Sequence, residues 1–393
     1  MPDAAAQELE RLLAESVEAA RRREQQAFDR AAAPCGDRLV LFGAGNRGRQ
    51  VLRQLRVAGI EPVAFSDNNP KLWGQDVEGI TVLSPEQAAR EWGARAAFVV
   101  TVWSEVLDCA GPRRQLRELG CQRVVPLPLL VWKSPEQMLG GMFFGLPHRV
   151  LAEADQIRVA FELFREPASR AAFVGHLRLY LRGETEGIEV RGMAEEYFSP
   201  ELLTLREDER FVDVGAFDGD TLVSYREHGG RSYFGVEPAP GNFAKLSQYV
   251  ASLPPEEQAR ITLRQMAVAE ERKQLRFAAT GGADARASEQ GEIEVEAAPL
   301  DEILGDFVPT YVKLEVEGTE AEALRGTTRT LAQHRPALAV AAYHYQPDLW
   351  RLPLLVAERC PDYGLFLREY GYCGFELILY ALPPERSPAV GAE

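Results

Sequence analysis

Two separate runs of alternating predicted strands and helices constrain the fold of this chain more than any other feature of its sequence. Each run opens on an apolar strand followed by a glycine-rich turn, LFGAGNRG at Leu41–Gly48 and FVDVGAFDGDT at Phe211–Thr221. Strands that alternate with helices predict mostly parallel sheets with helices on both faces. A chain of 393 residues also exceeds what one hydrophobic core usually serves. We therefore expect an α/β protein with two Rossmann-like, doubly wound sheets.

The run that starts at Arg38 predicts the first of these sheets. RLVLFGAG, NRGRQVLRQLRVAG and EPVAFSDNN have the patterns of strand, helix and strand, and further strands are predicted near Ile80, Val99 and Val124. Upstream, residues 4–31 carry leucines at helical spacing, which predicts one amphipathic helix that packs on its own domain or pairs with a second copy in a homodimer. The predicted division is an N-terminal helix (1–37), a Rossmann-like domain (38–133), a helical connector or lid (134–209) and a second α/β domain (210–393).

The second run predicts a sheet of five parallel strands and a closing hairpin. The predicted parallel strands are FVDVGA, YFGVEP, ITLRQMAVA, TYVKLEVEG and ALAVAAYH. Two more, FLREYG and FELILYALP, are joined by only a few residues and are expected to pair antiparallel. This arrangement is typical of class I, Rossmann-like methyltransferases.

Charged residues, a histidine and one glycine lie at the carboxyl ends of the predicted parallel strands of this second domain. They are Asp213 and Gly215, then Glu237, then Glu315 and Glu317, and finally His344. Because a doubly wound sheet binds its ligand beyond the carboxyl ends of its strands, these residues should converge. Glu237 lies 24 positions after Asp213, where such folds place an acid that accepts hydrogen bonds from ribose hydroxyls. A cofactor that contains ribose is therefore expected.

The turn FVDVGAFDGDT differs from the G-x-G-x-x-G pattern that binds pyrophosphate. It contains Asp213, Gly215 and Gly219, with Phe217 and Asp218 between the glycines. Additional carboxylates suit a cofactor that has no phosphate and ends in an amino acid. S-adenosylmethionine, with its positive ammonium and sulfonium groups, fits that description.

The motifs FVDVGAFDGDT, YFGVEPAPGNFAKL, YVKLEVEGTEAEALRG and RPALAVAAYH together resemble the FkbM-type S-adenosylmethionine-dependent methyltransferases, over about Glu196–Pro383. The resemblance implies transfer of a methyl group to a hydroxyl of a sugar, a glycan or another natural product. The familiar fourth-strand motif has Asp where this chain has Glu315. By position, the resemblance implies that Asp213, Gly215, Phe217, Asp218 and Gly219 line the methionine side, that Glu237 holds the ribose, and that Ala267 and Val268 lie near the adenine.

Methyl transfer to oxygen needs a group that takes the hydroxyl proton. His344 is the first candidate, because histidine titrates near neutrality and this one follows a core strand. Glu315 or Glu317 could instead act as the base, orient the acceptor, or pair with Lys313. Glu315 and Glu317 with a nearby histidine could also bind magnesium or manganese, but no dedicated metal-ligand spacing is present, so a site without a metal is the preferred interpretation.

The first glycine turn matches the dinucleotide fingerprint, with Gly43, Gly45 and Gly48 between strand and helix and Asp67 placed 22 positions after Gly45. No Tyr-x-x-x-Lys follows to supply the acid and base of dehydrogenase or epimerase chemistry. Binding of a nucleotide or nucleotide-sugar is the preferred interpretation, and a domain without a ligand is the alternative. Two rival functions remain open: an NAD-dependent sugar oxidoreductase or epimerase, and a non-catalytic protein that binds S-adenosylmethionine or a nucleotide-sugar.

The net charge and the composition limit the classes of molecule that this protein is expected to bind. The formal charge of −15 opposes nucleic acid and anionic membranes, and no apolar run approaches the roughly 18 residues of a membrane span. Five scattered cysteines and an acidic N-terminus predict a cytoplasmic protein with free thiols. The expected partner is a small-molecule or glycan hydroxyl acceptor, selected by the connector and by the loop Ala278–Gln290.

Overall fold

The computed structural model describes residues 4–138, 145–277 and 293–388. These residues form two compact units. The first comprises the chain up to Arg158, Ala171–Val190 and Gly371–Glu376, and the second comprises Val159–Arg170, Arg191–Tyr370 and the chain from Leu377. Residues 134–209 therefore contribute to both units, and the four-part division remains a prediction. The loop Ala278–Gln290 lies outside the described residues. Within the described ranges, no helix has the length and apolarity needed to cross a membrane.

The first unit contains a six-stranded sheet. Its strands are β1 Leu39–Phe42, β2 Ala64–Ser66, β3 Asp76–Val77, β4 Ile80–Leu83, β5 Ala97–Val100 and β6 Val124–Pro126. The order is β3-β4-β2-β1-β5-β6, and all neighbours are parallel except β3 and β4. Strands β1 and β5 are buried along their whole length, which explains their continuous apolar sequences. The strands predicted near Ile80, Val99 and Val124 are confirmed.

The N-terminal segment forms two helices, α1 Ala4–Leu13 and α2 Val17–Ala32, where the sequence predicted one. Ser16 has an extended backbone conformation, and its side chain accepts a hydrogen bond from Ala19 N at 3.2 Å. A serine that satisfies a free N–H group in this way starts a new helix. The apolar spacing was correct, but it could not reveal this interruption. The next eight helices are α3 Asn46–Val57, α4 Pro85–Trp92, α5 Ala110–Glu118, α6 Leu127–Lys133, α7 Pro135–Met138, α8 Pro147–Leu151, α9 Ala154–Leu163 and α10 Pro167–Arg182.

Two cysteines of the first unit are paired. Cys109 and Cys373 form a disulfide with their Cα atoms 5.9 Å apart, although 264 positions separate them in sequence. Cys35, Cys121 and Cys360 are buried free thiols. The expectation that all cysteines are free is therefore wrong for two of them, because proximity of thiols distant in sequence cannot be read from their spacing.

The second unit is built on a seven-stranded sheet. The strands of this unit are β7 Arg210–Val214, β8 Ser232–Val236, β9 Ile261–Arg264, β10 Ala267–Val268, β11 Lys273–Phe277, β12 Ile293–Ala298, β13 Tyr311–Leu314, β14 Ala337–Ala341, β15 Gly364–Glu369 and β16 Leu377–Leu382. The large sheet has the order β15-β16-β14-β13-β7-β8-β9. Its five strands from β14 to β9 are parallel, and β16 runs antiparallel to both β14 and β15. The predicted parallel sheet with a closing antiparallel hairpin is confirmed.

One predicted strand, ITLRQMAVA, is divided between two sheets. Ile261–Arg264 pairs with β8 in the large sheet, whereas Ala267–Val268 pairs with β12 in a separate sheet of order β10-β12-β11. The small sheet has its own apolar core, which draws the second half of the segment away from β8. The helices of this unit are α11 Asp220–Glu227, α12 Pro240–Ala251, α13 Pro255–Gln258, α14 Leu300–Ile303, α15 Glu320–Arg325, α16 Thr328–His334 and α17 Asp348–Arg359.

Candidate cofactor-binding and catalytic site

The carboxyl ends of four adjacent parallel strands carry the residues that the sequence singled out. Gly215 follows β7, Glu237 follows β8, Glu315 follows β13, and His344 lies three positions after the end of β14. These strands are neighbours in the order β14-β13-β7-β8, so their carboxyl ends meet at one edge of the sheet. The predicted convergence is therefore present in the backbone itself.

The turn after β7 brings two backbone segments into close contact. Gly215 has φ +82°, and a Cβ atom built there would lie 1.7 Å from the carbonyl oxygen of Glu315. Phe217 and Gly219 also have positive φ, and Gly219 is the residue before α11. Asp218 is partly buried in the same turn. Only glycine fits at Gly215, because both the backbone conformation and the approach of Glu315 exclude a side chain.

Glu237 closes this turn from the neighbouring strand. Its side chain is 5 % exposed, and its two oxygens accept hydrogen bonds from Phe217 N at 3.0 Å and Ala239 N at 2.8 Å. Burial raises the pKa of Glu237 to about 7, although these hydrogen bonds act in the opposite direction. Asn242 also hydrogen-bonds Glu237, and its Oδ1 atom is buried without a partner among the described residues. Acceptor atoms are therefore concentrated beside the glycine turn.

A buried lysine joins the strands beneath the turn. Lys313 is 1 % exposed, and its Nζ lies 3.0 Å from Asp213 Oδ1, from Glu315 Oε2 and from the carbonyl oxygen of Gly215. Burial alone would lower the pKa of Lys313, but the two carboxylates raise it overall, so the lysine stays charged. Tyr233 donates to the second oxygen of Asp213 at 2.6 Å. Both oxygens of Asp213 are therefore bound by side chains of the protein, and the residue stabilises the turn after β7. Its predicted contact with the methionine side of the cofactor stays a prediction.

Glu315 is the more exposed member of this network, with 23 % of its side chain accessible. Tyr343 donates to its Oε1 at 3.0 Å, while Oε2 pairs with Lys313. Burial would raise the pKa of Glu315, but the charges of Lys313 and His344 lower it overall. Glu315 is therefore an ionised carboxylate whose two oxygens are both held in place.

His344 lies between two further glutamates. Its Nδ1 atom is 2.9 Å from Glu320 Oε1, in an ion-pair geometry rather than an aligned hydrogen bond, and its Nε2 atom is 3.6 Å from Glu317 Oε2. Burial would lower the pKa of His344, but Glu320 and the other nearby carboxylates raise it to about 10. A histidine that already carries a proton at neutral pH cannot accept another. The structure therefore argues against His344 as the resting proton acceptor.

Three residues of this site escaped the sequence analysis: Tyr233, Asn242 and Glu320. Tyr233 and Asn242 both lie inside the motif YFGVEPAPGNFAKL, but the sequence assigned neither of them a role. Tyr233 has the position of an ordinary strand residue, and Asn242 that of an ordinary helix residue. Glu320 is one of several glutamates between Glu315 and Glu322, and no spacing distinguishes it. Only its burial at 1 % exposure marks it.

The predicted adenine neighbours, Ala267 and Val268, form β10 of the small sheet and are 6 % and 4 % exposed. They lie outside the large sheet that carries the other predicted site residues. Their proximity to adenine remains a prediction.

The glycine turn of the first unit forms a separate candidate site. A Cβ atom on Gly48 would lie 1.8 Å from the carbonyl oxygen of Gly43, so helix α3 packs tightly on the turn. Gly45 is exposed, and apart from its chain neighbours no described residue comes within 4 Å of the position of its absent Cβ. Asp67 reaches the turn and accepts a hydrogen bond from Ala44 N at 2.7 Å. The fingerprint residues are therefore adjacent in space, as the spacing predicted.

Comparison with known proteins agrees with the geometry of the second unit. The family model of the methyltransferase FkbM domain matches residues 213–373, which confirms the resemblance over that range. The crystal structure of a methyltransferase FkbM from Methylobacillus flagellatus KT is similar over 97 % of this chain and 100 % of that chain, with a TM-score of 0.76 and 20 % identity. At 20 % sequence identity, this similarity shows that the two chains share a fold.

Two further solved structures are more distant. A precorrin-6y C5,15-methyltransferase from Geobacter metallireducens GS-15 has 14 % identity over 46 % of this chain and 82 % of that chain, with a TM-score of 0.31. A putative rRNA methylase from Clostridium thermocellum has 9 % identity over 46 % and 87 %, with a TM-score of 0.32. No curated protein matches the sequence.

Proposed function

We propose that the methyltransferase FkbM domain at residues 213–373 uses S-adenosylmethionine to methylate a hydroxyl group of a sugar, a glycan or another natural product. One observation carries the proposal: Glu237 and the turn after Gly215 meet at the carboxyl edge of the sheet, joined by the hydrogen bond from Phe217 N to Glu237. This is where a doubly wound sheet binds a ribose-containing ligand.

The residues of this edge fit the proposed cofactor. The absence of a side chain at Gly215 lets backbone segments approach closely, and Glu237 offers a carboxylate to ribose hydroxyls. Asn242 Oδ1 is a buried acceptor that receives no donor from the part of the chain that the structure describes. When bound, S-adenosylmethionine supplies a methyl group activated by positive sulfur. The surrounding carboxylates suit that positive charge, which supports this cofactor over one with a pyrophosphate.

The acceptor hydroxyl must lose its proton as its oxygen is methylated. Glu317 is the better acceptor of that proton, because His344 is already protonated and Glu315 is held by Lys313 and Tyr343. The Glu317 side chain is 34 % exposed and therefore reachable by an acceptor. A carboxylate is basic enough, since the proton becomes strongly acidic once the oxygen is methylated. Glu315 then acts to orient the acceptor.

The affinity for S-adenosylmethionine should fall at acidic pH. Because the pKa of Glu237 is about 7, the carboxylate that accepts from ribose is present above that pH and is lost below it. From about pH 8 to about pH 6 we expect roughly tenfold weaker binding, measured by calorimetric titration. Glu237→Gln should bind about tenfold more weakly at the higher pH and show no such pH dependence.

The matched control is Glu256→Gln, which changes an exposed carboxylate and should preserve both the affinity and its pH dependence. Wild-type protein that binds neither S-adenosylmethionine nor S-adenosylhomocysteine would refute the proposal. If binding is found, mass spectrometry of hydroxylated acceptors after incubation tests transfer to oxygen. Binding without any methylated product would instead favour a non-catalytic protein.

For the first unit, we propose that the turn at Gly43–Gly48 binds a nucleotide or nucleotide-sugar. The close approach of Gly48 to Gly43 and the placement of Asp67 support this. The space around Gly45 admits a methyl group without disturbing the fold, so Gly45→Ala should remain folded while blocking phosphate from the backbone.

Calorimetric titration of the full chain with NAD and with a uridine diphosphate sugar tests this. We expect binding of at least one ligand, weakened about tenfold in Gly45→Ala and unchanged in Gly192→Ala, another exposed glycine with nothing near its absent Cβ. Equal affinity in wild type and Gly45→Ala would exclude this turn as the binding site.

A further inference from the structure

Glu320 is a buried carboxylate that contacts two parts of the candidate site at once. Its Oε1 atom accepts hydrogen bonds from Val316 N at 2.9 Å and Gly318 N at 3.3 Å. The same oxygen lies 2.9 Å from Nδ1 of His344. Its Oε2 atom is buried without a partner among the described residues. One side chain therefore connects the turn after β13 with the histidine after β14.

The turn that Glu320 binds has an unfavourable backbone conformation. Glu317 has φ +54° and Gly318 has φ +96°. For a residue other than glycine, this region is unfavourable because the side chain crowds the backbone. Two converging N–H groups in such a turn form a pocket for an anion, and here the Glu320 carboxylate fills it. Glu320 thus stabilises the conformation that presents Glu317.

Four carboxyl groups from three elements interact with His344. Glu315 and Glu317 follow β13, Glu320 begins α15, and Asp348 begins α17. Burial raises the pKa of Asp348 to about 7, and this carboxylate accepts from Tyr345 N at 2.8 Å. Tyr343 stacks beside the imidazole with ring centroids 4.4 Å apart. The positive charge of Lys313 is paired with Asp213 and Glu315. It therefore compensates those two carboxylates rather than Glu317 or Glu320.

We propose that Glu320 is a positioning residue that holds the Nδ1 side of His344 and the Val316–Gly318 turn together, so that Nε2 of His344 faces Glu317 at the exposed edge of the site. This inference deepens the proposed methyltransferase function, because the oriented Glu317 is the group that would receive the hydroxyl proton. His344 keeps its own proton throughout and stabilises the negative charge of Glu317 before transfer. Glu320 itself contacts neither acceptor nor cofactor.

The experiment is a nuclear magnetic resonance titration of the full-length chain with isotope-labelled histidine, without cofactor or acceptor. The chain has five histidines, and the signal of His344 is assigned by its loss in His344→Gln. In the wild type we expect His344 to remain protonated through neutral pH and to titrate near a pKa of about 10. In Glu320→Gln the titration should move down by at least about one pH unit, because the nearest negative charge is gone.

The matched control is Glu322→Gln on the same helix. Glu322 pairs with Lys273, and 41 % of its side chain is exposed, so its loss should leave the titration of His344 unchanged. Thermal unfolding shows whether each variant is folded. Glutamine can still accept from Val316 N and Gly318 N, which favours a folded Glu320→Gln protein.

A folded Glu320→Gln protein with an unchanged His344 titration would overturn the inference. If that variant does not fold, the wild-type titration decides, and a His344 that loses its proton near the ordinary value of about 6.5 overturns it. Because no ligand is present, these outcomes do not depend on methyl transfer. Failure to bind S-adenosylmethionine would count against the proposed function and leave the positioning of His344 unaffected.

Discussion

Replacement of Lys313 by methionine is expected to lower the free energy of unfolding of the second unit by about 3–5 kcal/mol. The lysine is 1 % exposed and compensates the carboxylates of Asp213 and Glu315 at 3.0 Å each. Burial raises the pKa of Asp213 and Lys313 opposes that effect, so without the lysine the buried carboxyl loses its compensating charge and retains the hydrogen bond from Tyr233. Urea denaturation followed by circular dichroism measures the loss.

Two further variants isolate the buried charge as the cause. Lys273→Met removes a lysine whose side chain is 33 % exposed and which pairs with Glu322, so it should lower the free energy of unfolding by less than about 1 kcal/mol. The double variant Lys313→Met with Asp213→Asn should recover part of the lost stability, because the uncompensated carboxylate is removed as well. A Lys313→Met protein as stable as the wild type would show that the network does not support the fold.

Gly215→Ala is expected to lower the free energy of unfolding by about 2–5 kcal/mol. The alanine would have to adopt φ +82°, which is strained for any residue with a side chain. Its Cβ atom would also overlap the carbonyl oxygen of Glu315, which lies only 1.7 Å away. Strands β7 and β13 would have to separate at their carboxyl ends, so binding of S-adenosylmethionine should be lost with the stability. Denaturation and calorimetry measure the two effects on the same sample.

Gly229→Ala is the matched control for this prediction. Gly229 has φ +85°, nearly that of Gly215, but within the described ranges no heavy atom beyond its chain neighbours lies within 4 Å of the position of its absent Cβ. The Gly229→Ala protein should be less stable by only roughly 1–2 kcal/mol, which is the cost of the backbone strain, and should keep its affinity for S-adenosylmethionine. Equal losses in the two variants would mean that the close contact between Gly215 and Glu315 is unimportant.

The fold could be predicted from the sequence wherever a local pattern decides the structure. FVDVG, YFGVE and TYVKLE are short and mainly apolar, as buried parallel strands are, and all three form neighbours in the large sheet. The pattern failed where the deciding contact was not local. Ser16 interrupts a helix whose apolar spacing is continuous, and β12 draws Ala267 and Val268 out of the strand predicted for ITLRQMAVA.

The candidate site shows the same limit. The sequence predicts that Glu237, Glu315, Glu317 and His344 share one edge, because the carboxyl ends of parallel strands meet there. It could not predict that His344 is protonated, since this depends on the 2.9 Å contact with Glu320 from another element. For the same reason we propose Glu317 rather than His344 as the proton acceptor.

The sequence alone determined the two α/β units, the strands of the large sheet and the set of polar residues at its ligand edge, because hydrophobic periodicity and glycine turns act over a few neighbouring positions. Only the tertiary structure decided which carboxylate faces which cation. It placed Lys313 between Asp213 and Glu315, and His344 between Glu317 and Glu320. The charge of a buried group depends on distances of a few ångströms in a medium of low dielectric constant, and those distances exist only after the strands have assembled.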